Sequence, residues 1–245
     1  MRKIAIFTVA AFAAAEITAQ GFASRGARAN AAQGSAARLA ARSSKVDIVH
    51  MPKPDVALIP APSFAANLAG GLQPPISKRP RRWALFELKY RTSADWQDEL
   101  TFTWHILVKA DASELKKSAA VARARGDEAP SVTPYSYYTA TVRYVNVPRG
   151  EHMACTGLTP STVEHYGRPV CISVVVTDKD GKELAMKTED SVGVSNMAQD
   201  GRWWDSEKVM NSDRPNLKVA RRNGLLERSK TPFALVNSSD YEDVQ

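Results

Sequence analysis

The chain has 245 residues, of which 44% are hydrophobic, 8% aromatic and 24% charged. This composition is typical of one globular domain, with or without tails, and it excludes collagenous, coiled-coil and polytopic membrane proteins. Charge is unevenly distributed, because residues 1–82 carry 12 basic and 3 acidic side chains whereas residues 83–245 carry 21 and 23. The pI of about 9.4 therefore reflects the N-terminal third.

The N-terminus resembles a secretory signal peptide. Arg2 and Lys3 precede the run 4–15, which is apolar except for Thr8, and small residues follow up to Ala23. A membrane span needs about 20 apolar residues, so a retained anchor is the weaker interpretation. We expect residues 1–23 to be removed on export. The mature chain would then lack a membrane span and lie in a periplasm, at an outer membrane or outside the cell.

Residues 24–82 have the composition of a disordered basic linker. The segment 23–42 is rich in Ala and Arg and almost free of large aliphatic residues, and seven prolines follow between residues 51 and 80. Two short apolar stretches, 46–49 and 56–59, are candidates for edge strands of the following domain. The linker ends in a basic cluster of Lys78, Arg79, Arg81 and Arg82. This cluster is either a solvated domain junction or a contact for an acidic partner or the envelope surface, and an exported chain is not expected to bind nucleic acid.

Residues 83–245 alternate between apolar and polar side chains, the period-two pattern of half-buried strands. Turn residues at 93–95 suggest that the first two strands are separate and antiparallel, and Asp178, Asp180 and Gly181 predict a hairpin turn rather than a calcium loop. The predicted strands are 83–91, 100–108, 138–144, 170–176, 184–186, 202–210, 216–221 and 232–237.

Residues 111–125 predict a short inserted helix. Asp111 and Glu114 suit a capping box, the apolar face is thin, and Gly126 is suited to end the helix. Antiparallel strands with one helix and no strand–helix alternation indicate an immunoglobulin-like antiparallel β-sandwich over residues 83–245.

Cys155 and Cys171 are the two cysteines of the chain. In an exported protein an even pair predicts a disulfide, which would close a loop of about 16 residues and stabilise the fold by roughly 3 kcal/mol. The alternative is a zinc site built from these thiols with His152 and His165, but the irregular spacing of the four residues disfavours it.

Trp203 and Trp204 are a candidate binding surface. Adjacent strand residues point to opposite faces, so one indole would fill the core while the other would be free to stack on a sugar or a partner's side chain, unless both are packed inside. His105 lies among threonines and is expected at the surface. No nucleophile-elbow, zincin, phosphate-loop or dinucleotide-binding motif is present, so we expect no enzymatic activity, no metal and no cofactor.

The C-terminal stretch R-S-K-T-P-F-A, residues 228–234, precedes a polar tail containing Tyr241, Glu242 and Asp243. Together with the signal peptide, the Ala-rich basic linker and the strand-rich domain, it resembles exported immunoglobulin-like proteins of verrucomicrobial (Akkermansia) type IV pilus gene clusters. The resemblance implies a structural or accessory role in pilus assembly at the envelope, with envelope or pilus-assembly proteins as partners and no catalytic residues. In a prepilin a long apolar helix follows the Gly-Phe cleavage site, whereas Gly21 and Phe22 are followed by a polar run rich in Ala and Arg. The chain is therefore not expected to be a pilin. The alternative function is a module that binds glycans or a host surface.

Overall fold

The computed structural model describes residues 48–60, 81–128, 130–212, 214 and 217–234. The predicted signal peptide, most of the predicted linker, Lys78, Arg79 and the acidic tail lie outside these residues. The described strands are β1 (Ile48–His50), β2 (Asp55–Pro60), β3 (Arg82–Lys109), β4 (Tyr135–Leu158), β5 (Arg168–Asp178), β6 (Glu183–Asp190), β7 (Val219–Arg222) and β8 (Leu225–Glu227). The helices are α1 (Ala112–Arg125), α2 (Pro160–Tyr166) and α3 (Glu207–Met210).

The long strands β3 and β4 pair antiparallel over almost their whole lengths, and each contributes to two layers. In the first layer the N-terminal part of β3 pairs with β1 and β2, and the C-terminal part of β4 pairs with β8. In the second layer the C-terminal part of β3 pairs with β5, which pairs with β6, and the N-terminal part of β4 pairs in parallel with β7. The β3–β4 register shifts between Thr92 and Trp96, where the first layer passes into the second.

The core lies between the layers, as the alternation predicts. Phe86, Leu88 and Tyr90 from the first layer and Phe102 and Trp104 from the second belong to one cluster of buried side chains. Their polar neighbours along β3 face outward, so one long strand supplies the inner face of both layers. The predicted fold class, an antiparallel β-sandwich, is confirmed.

Several predicted elements are observed and others are corrected. The described residues 48 and 49 of the first stretch in the predicted linker lie in β1, and the second stretch lies in β2. The β5–β6 hairpin is present, and α1 is capped by Gly126, whose φ of 73° is left-handed. The Asp111 side chain makes no capping hydrogen bond, so the predicted capping box is absent. The predicted turn at residues 93–95 is wrong, because β3 continues through it. The predicted strand 202–210 is also wrong: it consists of turns followed by α3.

The outer faces of the two layers are covered by irregular segments. On the second layer, the covering connection consists of the described residues between β6 and β7, which are 191–212, 214, 217 and 218. Its side chains form a second apolar cluster with the outer face of the second layer. On the first layer, the T-P-F-A stretch places Phe233 edge-on against Trp83, with ring centroids 6.0 Å apart, and beside Leu85. Residues 232–234, within the predicted strand 232–237, therefore form a turn instead. Among the described residues, no helix has the length and hydrophobicity needed to cross a membrane.

Candidate functional site

Trp203 and Trp204 lie in the connection that covers the second layer, and neither is free to bind. Trp203 is fully buried and Trp204 is 6% exposed. The Trp203 indole N–H donates a 2.8 Å hydrogen bond to the Ser173 hydroxyl on β5. The two indole rings meet edge to face, with centroids 5.7 Å apart. The hypothesis that this pair forms a binding surface is therefore wrong for this structure, and the tryptophans instead anchor the connection to the sheet.

His105 on β3 completes this anchor. Its ring stacks on the indole of Trp204 with a centroid distance of 3.9 Å and an interplanar angle of 5°, and its Nδ1 shares a 2.7 Å hydrogen bond with the Tyr137 hydroxyl. Burial, reinforced by the nearby positive charge of Arg202, lowers the pKa of His105 to about 4. His105, which was expected at the surface, is therefore buried and uncharged, because the connection covers the polar face on which it lies.

The two ends of the covering connection are fixed to the sheet by hydrogen bonds. At its start, the Asp190 carboxylate accepts bonds from the backbone N–H groups of Val192, Gly193 and Ser195 and from the Ser195 hydroxyl. Partial burial opposes ionisation of Asp190, but these hydrogen bonds outweigh it and lower its pKa. At the other end, β7 pairs with residues 135–138 of β4.

The predicted disulfide is not present: Cys155 and Cys171 are both buried and are not bonded to each other. Cys155 lies opposite Glu87 on β3, and Cys171 lies opposite Leu107, twenty positions further along the same strand. Cys155 packs with Phe233 on the first layer, whereas Cys171 belongs to the cluster beneath the tryptophans. A disulfide requires Cα atoms about 4.4–6.8 Å apart, which residues packed on different layers do not provide. Burial, together with the negative charge of Asp190, raises the pKa of the Cys171 thiol.

The alternative zinc site does not form either. His152 contacts Tyr90, with ring centroids 5.3 Å apart, and its Nε2 lies 2.8 Å from the Pro148 carbonyl oxygen as a hydrogen-bond donor. His165 packs edge-on against Tyr166 in α2. In the described parts of the chain, no three His, Cys, Asp or Glu side chains converge as metal ligands.

Two exposed features remain as candidates for interaction. One is the strand β6, which hydrogen-bonds to β5 along one side and, within the described residues, has no strand on its other side. The other is Trp96, which lies at the register shift of β3 and is 53% exposed. Arg81 from the basic cluster lies 3.7 Å from the carboxylate of Glu164, so the end of the predicted linker has an acidic neighbour within the domain.

No family model and no curated protein matches the chain. A solved structure from Akkermansia muciniphila has a similar fold, with a TM-score of 0.56 and 21% sequence identity. The match covers 82% of this chain and 94% of that one. The likeness confirms the fold and, at this identity, carries no information on what the chain binds.

Proposed function

We propose that this chain is an exported, non-enzymatic accessory or structural protein of a type IV pilus-like assembly at the cell envelope. The predicted signal peptide and the sequence resemblance support export and the pilus setting. The structural observation that carries the proposal is the open edge of β6. No strand of the described residues pairs with its backbone N–H and C=O groups on that side, and addition of a strand to such an edge is one way in which a sheet recruits an extended segment of another protein.

The strand β6 is suited to such pairing by its length and support. It has eight residues, and it is held in register by seven paired positions on β5. Leu184 and Ala185 pack against the core, so the strand is fixed before any partner arrives. Lys53, from the β1–β2 connection, lies 2.9 Å from the Glu189 carboxylate and joins the first layer to the end of β6. The edge is therefore rigid, which lowers the entropic cost of adding a strand.

Site-specific photocrosslinking tests this proposal. A photoreactive amino acid replaces Lys187, which is exposed on β6, and in a matched control it replaces Lys116, which is exposed on α1. After irradiation of native envelopes, we expect the Lys187 probe to capture pilin, secretin or assembly-platform proteins, identified by mass spectrometry. Equal capture of these proteins from Lys116, or capture of none of them from Lys187, would contradict the proposal.

A further inference from the structure

The open edge of β6 presents the backbone groups of alternate residues. Just beyond the strand, the Ser191 N–H donates to the Val170 carbonyl of β5 at 2.9 Å, and the pairing with β5 is regular from this point back through the second half of β6. In an antiparallel ladder, residues that bond to one neighbour alternate with residues whose N–H and C=O groups point away from it. Met186, Thr188 and Asp190 therefore turn their backbone groups toward the open side, where the described residues contain no pairing strand.

Lys187 and Glu189 lie on the same face of β6. They pair with Val174 and Ile172 of β5, which both belong to the core between the layers, so the two charged side chains lie on the inner face at the edge of the sandwich. Lys187 is exposed and forms no ion pair within the described residues, whereas Glu189 lies 2.9 Å from Lys53. The Glu189 side chain is still 45% exposed, so its carboxylate has room for a second cation.

The order of these charges makes β6 complementary to itself. When two antiparallel copies of β6 meet about a two-fold axis at Thr188, Lys187 of each copy lies directly opposite Glu189 of the other. These are non-hydrogen-bonded positions, where facing side chains are closest. The two Thr188 residues, and Met186 with Asp190 on either side, form pairs that exchange backbone hydrogen bonds. Opposite charges and threonines that face each other across an antiparallel pair both stabilise it.

The charges also select this register over its neighbours. An axis at Lys187 would place the two lysines opposite each other, and an axis at Glu189 would do the same with the two glutamates; like charges in these positions are destabilising. An axis at Met186 leaves both lysines without a counter-charge. An axis nearer the start of the strand would pair Lys187 with Glu183, but the ladder is irregular there and the Glu183 carboxylate already binds Arg202.

Self-pairing of this kind would also protect the edge. An open edge strand is a template for uncontrolled pairing, and inward-pointing charges are one of the devices by which proteins suppress it. In β6 these charges disfavour the neighbouring self-pairings and favour one. Because a two-fold pair uses the same patch on both partners, the assembly closes at two copies and leaves no β6 edge for a third.

We propose that β6 pairs with β6 of a second copy of this chain, forming a two-fold dimer that covers the edge until an assembly protein displaces it. This regulation rests on the proposed function, because it takes the same edge as the site of recruitment. The interface is short and largely polar, so we expect a dissociation constant on the order of 10–100 µM, weak enough for an added strand to compete.

Sedimentation velocity of the purified mature chain tests the pairing. We expect the weight-average mass to rise from that of one chain to that of two between about 1 µM and about 1 mM, the range around the expected dissociation constant. Lys187→Glu places like charges opposite each other in both halves of the interface and should weaken the pairing by about tenfold or more. Lys116→Glu makes the same charge change on the exposed side of α1 and should have no effect.

Two variants that fail alone should pair with each other. Glu189→Lys puts two lysines on the edge and should be monomeric, as Lys187→Glu should be. An equimolar mixture of the two restores both opposite-charge contacts and should recover the mass of the native dimer. Circular dichroism of each variant should match that of the native chain, because both side chains lie at the surface of an edge strand.

Cysteine substitution tests the register itself. Thr188→Cys should form a disulfide between copies on mild oxidation, because a hydrogen-bonded pair holds its Cα atoms about 5.5 Å apart, within the range that a disulfide spans. Met186→Cys is the matched control on the same face of β6, and it should not crosslink, because it faces Asp190 rather than itself.

Three results would overturn the proposal: a native chain that stays monomeric throughout the concentration range, a dimer that Lys187→Glu leaves intact, or Met186→Cys crosslinking as efficiently as Thr188→Cys. None of them bears on the proposed function, whose failure appears separately as the absence of pilus proteins from the Lys187 crosslinks in native envelopes. In those envelopes the same probe should also capture a second copy of the chain.

Discussion

Tryptophans lie outside the inter-layer core in two regions, the covered outer face of the second layer and the bend between the layers. They are buried in the first region and exposed in the second. On the covered face, Trp203 and Trp204 are enclosed by Ser173, His105 and Tyr137. At the bend, Trp96 is 53% exposed, and its sequence neighbours Asp95 and Asp98 form ion pairs with basic side chains of β4 and of the β5–β6 turn. The contrast shows that the role of an indole depends on which segments of the chain cover it: Trp203 and Trp204 stabilise the fold, whereas Trp96 stays open to solvent.

Replacing Trp203 with alanine should have the largest effect on stability. The substitution leaves a cavity beneath the covering connection and removes the hydrogen bond to Ser173, and burial on this scale predicts a loss of about 3–5 kcal/mol. Urea denaturation measures it. The matched variant Trp96→Ala should change the free energy of unfolding by less than about 0.5 kcal/mol. Similar losses for the two variants would remove the distinction between the regions.

The second largest effect should come from acid, which should lower the free energy of unfolding through the covered face. His105 has a pKa of about 4 when folded and about 6.5 when unfolded, so below pH 6.5 the unfolded chain binds a proton that the folded chain excludes. The stability associated with this histidine is complete above pH 6.5 and is lost progressively as the pH falls to 4, by about 3 kcal/mol in total. The ring is faced by Tyr137 on β4, and by Trp204 and Arg202 on the connection; of these, Arg202 carries a positive charge that further disfavours protonation.

The variant His105→Gln separates this effect from that of the carboxylates. Denaturation curves at pH 7 and pH 4 should show a smaller acid-induced loss in the variant than in the native chain, with a difference of about 3 kcal/mol. An equal loss in both proteins would mean that His105 titrates normally and that the connection does not bury it.

Removal of Asp190 should loosen the same connection more modestly. Asp190→Ala leaves three backbone N–H groups and the Ser195 hydroxyl without their acceptor, at a cost of about 1–3 kcal/mol. Asp190→Asn keeps one carbonyl oxygen and should lose less. Hydrogen exchange localises the change: amides of residues 192–195 should exchange faster, while those of β3 should not. Uniform acceleration through the core would contradict a local role.

The strands were predictable from local sequence, but the path of β3 was not. Alternation of Phe86, Leu88 and Phe102 with polar residues specifies strands and identifies the core face. The β5–β6 hairpin was equally predictable, because Asp and Gly are typical turn residues and the Asp178 carboxylate accepts backbone hydrogen bonds within the turn. Residues 93–95 have the same turn-like composition, yet they lie in a bend, since both halves of β3 pair with the distant strand β4. Local composition cannot distinguish a bend from a turn when the deciding partner is about 50 residues away.

The candidate site was less predictable, for a related reason. Period-two alternation assigned His105 to a polar outer face, and it could not show that an irregular connection would cover that face. Trp203 and Trp204 were interpreted as a strand pair, whereas both lie in turns. Trp96 was overlooked because it follows the supposed turn. The available signal was a single large aromatic within the charged stretch D-W-Q-D-E, where no apolar neighbour could bury it.

The smallest expected effect concerns the thiols. A disulfide between Cys155 and Cys171 would contribute roughly 3 kcal/mol, so its reduction would lower stability by about that amount. Because the structure holds the thiols on different layers, we expect reductant to change the free energy of unfolding by less than about 0.5 kcal/mol. A thiol reagent should react with neither cysteine in the native chain and with both in guanidinium chloride. Failure of both cysteines to react in the denatured chain would instead indicate a disulfide between them. The two layers would then have to lie close enough for Cys155 and Cys171 to be bridged, which would contradict their separate positions in the fold.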